Sequence, residues 1–194
     1  MAINKFLPLK KFLNEGSDDP RMGCVMLFAD IPDWNKLTHR IVREEDIYDP
    51  TDEPGEYGYE ESPHITVIYG IHHDEVLDDS IIYRKIQQIP IIKTTIKEIG
   101  VFENADKPYD VVKFDINPTK TLLDARQEFL ELPNTQSFPE YHPHMTIAYV
   151  RAGEGRKYRK LLKTPIKISF KKGVYSDPDY RKSYFDLKTL KYKK

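Results

Sequence analysis

The stretch Pro63-His64-Ile65-Thr66-Val67-Ile68-Tyr69 is repeated eighty positions later as Pro143-His144-Met145-Thr146-Ile147-Ala148-Tyr149. Each copy reads Pro-His-apolar-Thr-apolar-apolar-Tyr. Side chains alternate across a strand with period two, so the His and Thr of each copy point to one face while their apolar neighbours point mostly to the other. Threonine, valine, isoleucine and tyrosine favour strands, and proline is tolerated where a strand begins. Each copy is therefore a strand presenting one imidazole and one hydroxyl side by side. By the same alternation Tyr69 and Tyr149 fall opposite the histidines and are expected in the core.

The residues around the two copies repeat as well. Upstream of the first, Met22 to Ile31 is a short apolar run bounded by turn residues, which fits a central strand. Asp33 is placed to cap a helix carrying Trp34, Leu37, Ile41 and Val42 on one face. Residues 43 to 62 are acidic and rich in Pro, Gly and Tyr, and they read as a long functional flap beside the first His-Thr strand. After that strand, Asp78 or Asp79 caps a helix through Ile81, Ile82, Ile86 and Ile89 that stops at Pro90. Residues 91 to 103 form a strand with a bulge or bend at Gly100, and 110 to 116 form its hairpin partner. Pro118 opens a helix through Leu122, Leu123, Ala125, Phe129 and Leu132. The second His-Thr strand follows, then a short basic helix over 155 to 163 and strands over 165 to 175 and 183 to 188, joined by the turn Ser176-Asp177-Pro178-Asp179.

Each half thus reads strand, helix, loop, His-Thr strand, helix, strand, and the chain is an internal duplication. The expected fold is α+β, with two pseudo-twofold-related lobes, each an antiparallel sheet with helices packed outside, around a central cleft. The expected organisation is an arm over residues 1–21 and one bilobal domain over 22–194, with lobes of roughly 22–109 and 110–194. The arm would dock through Phe6, Leu7, Leu9, Phe12 and Leu13.

Composition narrows the function. The chain has 194 residues, enough to bury a core without staples, and 30 Lys plus Arg against 31 Asp plus Glu leave a net charge of −1. That balance disfavours a general nucleic-acid coat protein, and no double-stranded nucleic-acid partner is expected. The single cysteine, Cys24, cannot form a disulfide within the chain and reads as a small buried hydrophobe in a reducing compartment. No run is long and apolar enough for a membrane span or signal core, so a cytoplasmic protein is expected. His142 and His144 share a strand face, but no third ligand has a recognisable spacing, and no metal or cofactor is expected. His39, His72 and His73 are expected at the surface.

His64-x-Thr66 and His144-x-Thr146, in matched strand contexts with matched Pro and Tyr neighbours, resemble the paired motifs of the 2H phosphoesterase superfamily, over roughly residues 22 to 188. Within it, the strand MGCVMLF, the acidic Pro-Gly-Tyr flap and the strand PHITVIYG are similar to small enzymes of tailed phages that destroy the cyclic nucleotide signals of bacterial CBASS immunity. The resemblance implies a metal-independent phosphodiesterase that hydrolyses 3′-5′ linked cyclic di- and trinucleotides in the cytoplasm of an infected bacterium, as a monomer. His64 and His144 would be its acid and base and Thr66 and Thr146 its phosphate donors. An enzyme opening 2′,3′-cyclic phosphates or 2′-5′ linkages at RNA ends is the alternative on the same fold. A non-catalytic nucleotide-binding or phage-assembly protein is the alternative of another class. Phe28, Tyr175 and Tyr184 are candidates for stacking on the bases, with flap tyrosines Tyr48, Tyr57 and Tyr59 behind them.

Overall fold

The computed structural model describes residues 21–50, 57–76, 78–103, 105–136 and 140–189. The proposed arm over 1–21 lies outside these residues except for Arg21. Seven strands and three α-helices follow in the order β1 (Met22–Ala29), α1 (Trp34–Ile41), β2 (His64–His72), α2 (Ser80–Gln88), β3 (Ile92–Phe102), β4 (Tyr109–Ile116), α3 (Lys120–Leu130), β5 (His144–Arg151), β6 (Lys160–Ser176) and β7 (Lys182–Asp186). All the strand pairs are antiparallel, in the order β2-β1-β6-β3-β4-β5, with β7 paired to β6. This is the α+β architecture that the duplicated pattern predicts.

The two halves exchange their last strands. β3, from the first half, pairs with β4 of the second, while the long β6 pairs with β1 of the first half and with β3. One pseudo-twofold unit is therefore β2-β1-β6 and the other β5-β4-β3. The two His-Thr strands end up as the outer strands of this order, yet they approach one another, because a twisted sheet brings its margins round.

Hydrophobic spacing fixes which face each element buries. Ile82 and Ile86 of α2, and Leu122, Ala125 and Phe129 of α3, recur at three and four residues and join one core with Ile65, Val67, Phe114, Met145 and Phe170 of the strands. Cys24, Met26 and Val174 form a second, smaller apolar cluster with Phe28 and Tyr69. Cys24 is buried as expected, and burial pushes its thiol up to about 12.

Some local expectations are corrected. Asp33 has φ 54 and makes no side-chain cap to α1. Asp78 accepts the Ser80 N–H at 2.8 Å, doing for α2 what a cap does. Thr119, after Pro118, caps α3 by accepting from the Leu122 N–H. The irregularity in β3 falls between Ile96 and Glu98, not at Gly100. In place of a basic helix over 155 to 163 there is one 3₁₀ turn, Gly155–Tyr158, after which β6 begins at Lys160. Strand pairing with β3 overrides the local helical preference.

Candidate active site

The His-Thr strands carry their motif residues on the face opposite the main core. Ile65 and Val67, and Met145 and Ile147, are fully buried, while His64, Thr66, His144 and Thr146 keep partial exposure. The register sets Phe28 opposite His64, Met26 opposite Thr66 and Cys24 opposite Tyr69. In the other unit Asp115 lies opposite His144 and Lys113 opposite Thr146.

Immediately after each threonine the strand bulges. β2 spends Thr66 opposite Met26 and Ile68 opposite Val25, which makes Val67 the extra residue; β5 spends Thr146 opposite Lys113 and Ala148 opposite Val112, which makes Ile147 the extra one. The bulge reverses the alternation, so two consecutive residues are buried in each strand and Tyr69 and Tyr149 are partly exposed. Tyr69 packs against Cys24, Met26 and Val174 in the smaller apolar cluster. The expectation that both tyrosines sit in the core with opposite parity to the histidines is therefore corrected.

The two imidazoles are held in the same way. His64 Nδ1 lies 3.1 Å from the Ser62 carbonyl and His144 Nδ1 lies 2.8 Å from the His142 carbonyl. A carbonyl can only accept, so each Nδ1 carries a hydrogen and each Nε2 is the atom left to give or take a proton. Phe28 stacks on the His64 ring with centroids 5.4 Å apart, and Phe102 meets the His144 ring edge-on at 4.8 Å. Burial holds both histidines below the usual imidazole value, with the carbonyl contacts opposing it; Lys182 pushes His64 further down. Lys113 does the same to His144, Asp115 raises it, and His64 lowers it, so the two rings feel each other's charge.

A reciprocal clasp joins the two motif strands. The Tyr141 hydroxyl, three residues before His144, donates to the Thr66 carbonyl at 2.9 Å, and Arg126 of α3 donates to the bulged Val67 carbonyl at 2.6 Å. In return the Glu60 N–H, four residues before His64, donates to the bulged Ile147 carbonyl at 3.0 Å. The segment ahead of each motif thus satisfies the edge of the opposite one.

The acidic flap belongs to this clasp, and its place differs from the sequence expectation. Residues 47–48 and 57–60 dock along β5, the second His-Thr strand, not beside the first: Tyr48 N–H donates to the Tyr149 carbonyl at 3.0 Å, and Tyr149 N–H to the Gly58 carbonyl at 2.8 Å. Residues 51–56 lie outside the described ones. Tyr48 and Tyr57 pack with Tyr109 and Tyr149, and Tyr59 stacks on the exposed His39. These aromatics hold the flap down.

The candidate stacking residues separate. Tyr184 is 58% exposed and sits 6.4 Å from Phe28, so those two rings form one aromatic shelf next to His64. Tyr175 is 1% exposed, and its hydroxyl contacts His73 Nδ1 at 2.9 Å behind the sheet; its place in the sequence-predicted base site is corrected to the core. His72 is held by Glu75 at 2.7 Å and Thr135 at 2.8 Å, so neither it nor His73 is a free surface residue. His142 ion-pairs with Glu140 at 3.3 Å with its side chain 68% exposed.

Sequence reasoning missed Lys113, Asp115 and Phe102. Lys113 is 5% exposed, ion-pairs with Asp115 and holds its ammonium 4.2 Å from the Phe102 ring centroid. The two halves are thus unlike beneath their histidines: Met26 and Phe28 in one, Lys113 and Asp115 in the other. A lysine inside a buried strand pattern, DVVKFDI, was the available signal. A cavity of about 480 Å³ opens at the β3–β6 junction, lined by Asp30, Lys93, Thr95, Asn117, Lys167 and Ser169 among others; none of the four motif residues lines it.

Two imidazoles anchored through Nδ1, each beside a threonine on a duplicated strand, make up the candidate site, and the matched pair is the arrangement expected of the two-histidine phosphoesterase class. The chain belongs to the 2′-5′ RNA ligase superfamily, whose family model matches residues 33–170. Structures of Kluyveromyces marxianus Usb1 with uridine monophosphate and of Escherichia coli LigT with 3′-AMP share the fold. The first is 9% identical, with a TM-score of 0.55 over 86% of this chain and 99% of its own. The second is 14% identical, with a TM-score of 0.50 over 88% and 96%. A third structure, described as a phosphoesterase, is 13% identical, with a TM-score of 0.50 over 88% and 97%. No curated protein sequence matches the chain.

Proposed function

We propose that this protein is a metal-independent phosphodiesterase cutting 3′-5′ ribonucleotide linkages, with His64, Thr66, His144 and Thr146 as the reacting set and cyclic di- and trinucleotides as substrates. The observation that carries the reading is the matched pair of Nδ1 contacts to backbone carbonyls, which turns two Nε2 atoms toward use as base and acid. Among the described residues the thiol at a motif, Cys24 bonded to Thr66, is buried and pushed up to about 12, so it is no nucleophile and the attacking oxygen comes from the substrate. A ribose 2′-hydroxyl is already held near the phosphorus, and such intramolecular attack carries an effective molarity of about 10⁵ M or more.

One histidine removes the 2′-hydroxyl proton as O2′ bonds to phosphorus, and the other passes its proton to the departing O5′ as the P–O5′ bond breaks. The products are a 2′,3′-cyclic phosphate and a 5′-hydroxyl, and the cyclic phosphate is opened by water with the roles exchanged. Thr66 and Thr146 donate to the non-bridging oxygens, and Lys113, opposite Thr146 in the register, supports the same charge. Phe28 and Tyr184 offer a shelf for one base.

The cyclic substrate class rests on the likeness to the phage enzymes, and its consequence is removal of a CBASS signal in the host cytoplasm. A second reading, opening of 2′,3′-cyclic phosphates or 2′-5′ linkages at RNA ends, is favoured by the family description and by the nucleotides bound to the Usb1 and LigT structures. A binding protein without activity has no need of two intact proton carriers.

A mass-spectrometric product screen over cyclic dinucleotides, cyclic trinucleotides and short RNAs with 2′,3′-cyclic ends separates the readings, run with excess EDTA throughout. Turnover of the cyclic nucleotides, none of the analogue lacking the scissile 2′-hydroxyl, and no effect of EDTA are expected. Turnover of RNA ends alone moves the conclusion to the second reading, and cleavage of the deoxy analogue at the ribose rate overturns the mechanism.

A further inference from the structure

We propose that Glu60 is a positioning residue that keeps a proton on His64, making His64 the proton donor and His144 the proton acceptor in the first step. The inference rests on the phosphodiesterase reading above and deepens it by removing its symmetry. Its starting point is a longer repeat than the motifs themselves: Glu60 precedes His64 by four residues, and Glu140 precedes His144 by four. The fold treats the two glutamates differently.

Glu60 Oε1 lies 3.7 Å from His64 Nδ1, and only 16% of the Glu60 side chain meets solvent. Its backbone is fixed on both sides, the carbonyl accepting from Trp34 Nε1 at 2.7 Å and the N–H donating to the Ile147 carbonyl at 3.0 Å. Glu140 is turned outward instead, 80% exposed and paired with His142. The charge beside His144 is the Lys113–Asp115 pair, buried under Phe102.

His64 has the Glu60 carboxylate beside its ring, whereas the cation and anion beside His144 are paired with one another and act on it in opposite senses. An anion within about 4–6 Å favours an imidazolium, and a cation disfavours one. The other charges facing these groups are Lys182, near both Glu60 and His64, and Glu61, near Glu60. Burial opposes a charge on either group alone, raising the Glu60 carboxyl to about 7 and lowering His64, so a proton on the ring depends on the carboxylate 3.7 Å away.

The first step then runs in one direction. His144 Nε2 takes the 2′-hydroxyl proton while O2′ bonds to phosphorus, and the His64 imidazolium gives its Nε2 proton to O5′ as that bond breaks. Charge and protons balance, with His144 protonated, His64 neutral and Glu60 ionised at the end.

The test compares a cyclic dinucleotide with uridine 3′-(4-nitrophenyl phosphate), whose nitrophenolate leaves without needing a proton. Glu60→Gln and His64→Ala are expected to lose about 10² or more on the cyclic dinucleotide and to recover most of that loss on the nitrophenyl ester, whereas His144→Ala stays inactive on both. With the cyclic dinucleotide, Glu60→Gln also moves the basic limb of the kcat profile down by about one pH unit or more, since the anion that held the proton is gone, and Glu60→Asp restores part of the rate. Recovery by His144→Ala instead of His64→Ala overturns the assignment of roles, and the two histidine variants decide this even if Glu60→Gln folds poorly. An equal loss by Glu60→Gln on both substrates with an unmoved profile overturns the role of Glu60. A wild-type protein inert on both substrates is a different result, the failure of the phosphodiesterase reading itself.

Discussion

Tyr141→Phe isolates one hydrogen bond that joins the two motifs. The Tyr141 hydroxyl donates to the Thr66 carbonyl at 2.9 Å, and its ring lies under the Arg126 guanidinium at 4.4 Å. Phenylalanine keeps the ring and its packing, so the change removes only the donor and leaves a carbonyl on the β2 margin unsatisfied. An unmade bond of this kind costs about 1–3 kcal/mol. Taking about 1.5 kcal/mol, a chain of this size loses about 3–6 °C in Tm.

Turnover should fall further than stability alone explains, because Thr66 is freed to shift relative to His144, and about 1 Å of misplacement costs on the order of 10²-fold. Tyr158→Phe is the control. Its hydroxyl contacts Asp46 and accepts the Arg43 N–H at 3.1 Å, far along the sheet from the motifs. Both variants should melt early in a thermal scan, and only Tyr141→Phe should lose kcat when assayed well below its midpoint. Equal kcat in the two variants, or an unmoved Tm for Tyr141→Phe, refutes the clasp as the coupling between half-sites.

His64→Ala and His144→Ala should each abolish turnover of the unactivated substrate with the circular dichroism unchanged, and Thr66→Ala and Thr146→Ala should each lose about 10² to 10³ in kcat; full activity in any of the four removes that residue from the site. Gly100→Ala should weaken turnover through Lys113, because a Cβ there collides with the Asp115 carboxylate and comes within 2.8 Å of Lys113 Nζ, and an unchanged rate would show that the buried pair does not serve the site. The pH dependence of folding separates Glu60 from the histidines. With a folded value of about 7 against 4.5, Glu60 contributes stability at low pH that is lost as pH rises through 7, whereas His64 and His144, lowered, contribute above 6.5 and lose it as pH falls. Urea denaturation at pH 5 and pH 7.5 should therefore show wild type gaining about 2 kcal/mol on Glu60→Gln at the lower pH, and a constant difference refutes the buried carboxyl.

The sequence by itself determined the two motif strands, the duplication around them and the α+β class, because these rest on alternation and helical spacing, which are properties of neighbouring residues. His64, Thr66, His144 and Thr146 were legible as a set for the same reason, and so was the family. What the tertiary structure decided lies wherever a residue's surroundings come from far along the chain. The bulges at Val67 and Ile147 invert a parity that local alternation assumes, which left Tyr69 and Tyr149 partly exposed. The flap joined β5 because that strand's free edge carbonyls needed donors, a demand created only once the sheet exists. Tyr175 went to the core and Tyr184 to the surface, through pairing of β6 between β1 and β3 and of β7 against its end. Glu60 and Glu140 have the same spacing from their histidines, and no local rule tells them apart. One is folded against His64 by Trp34 and Ile147 and the other is left in solvent, because burial is set by what packs on a residue and not by where it stands in a motif.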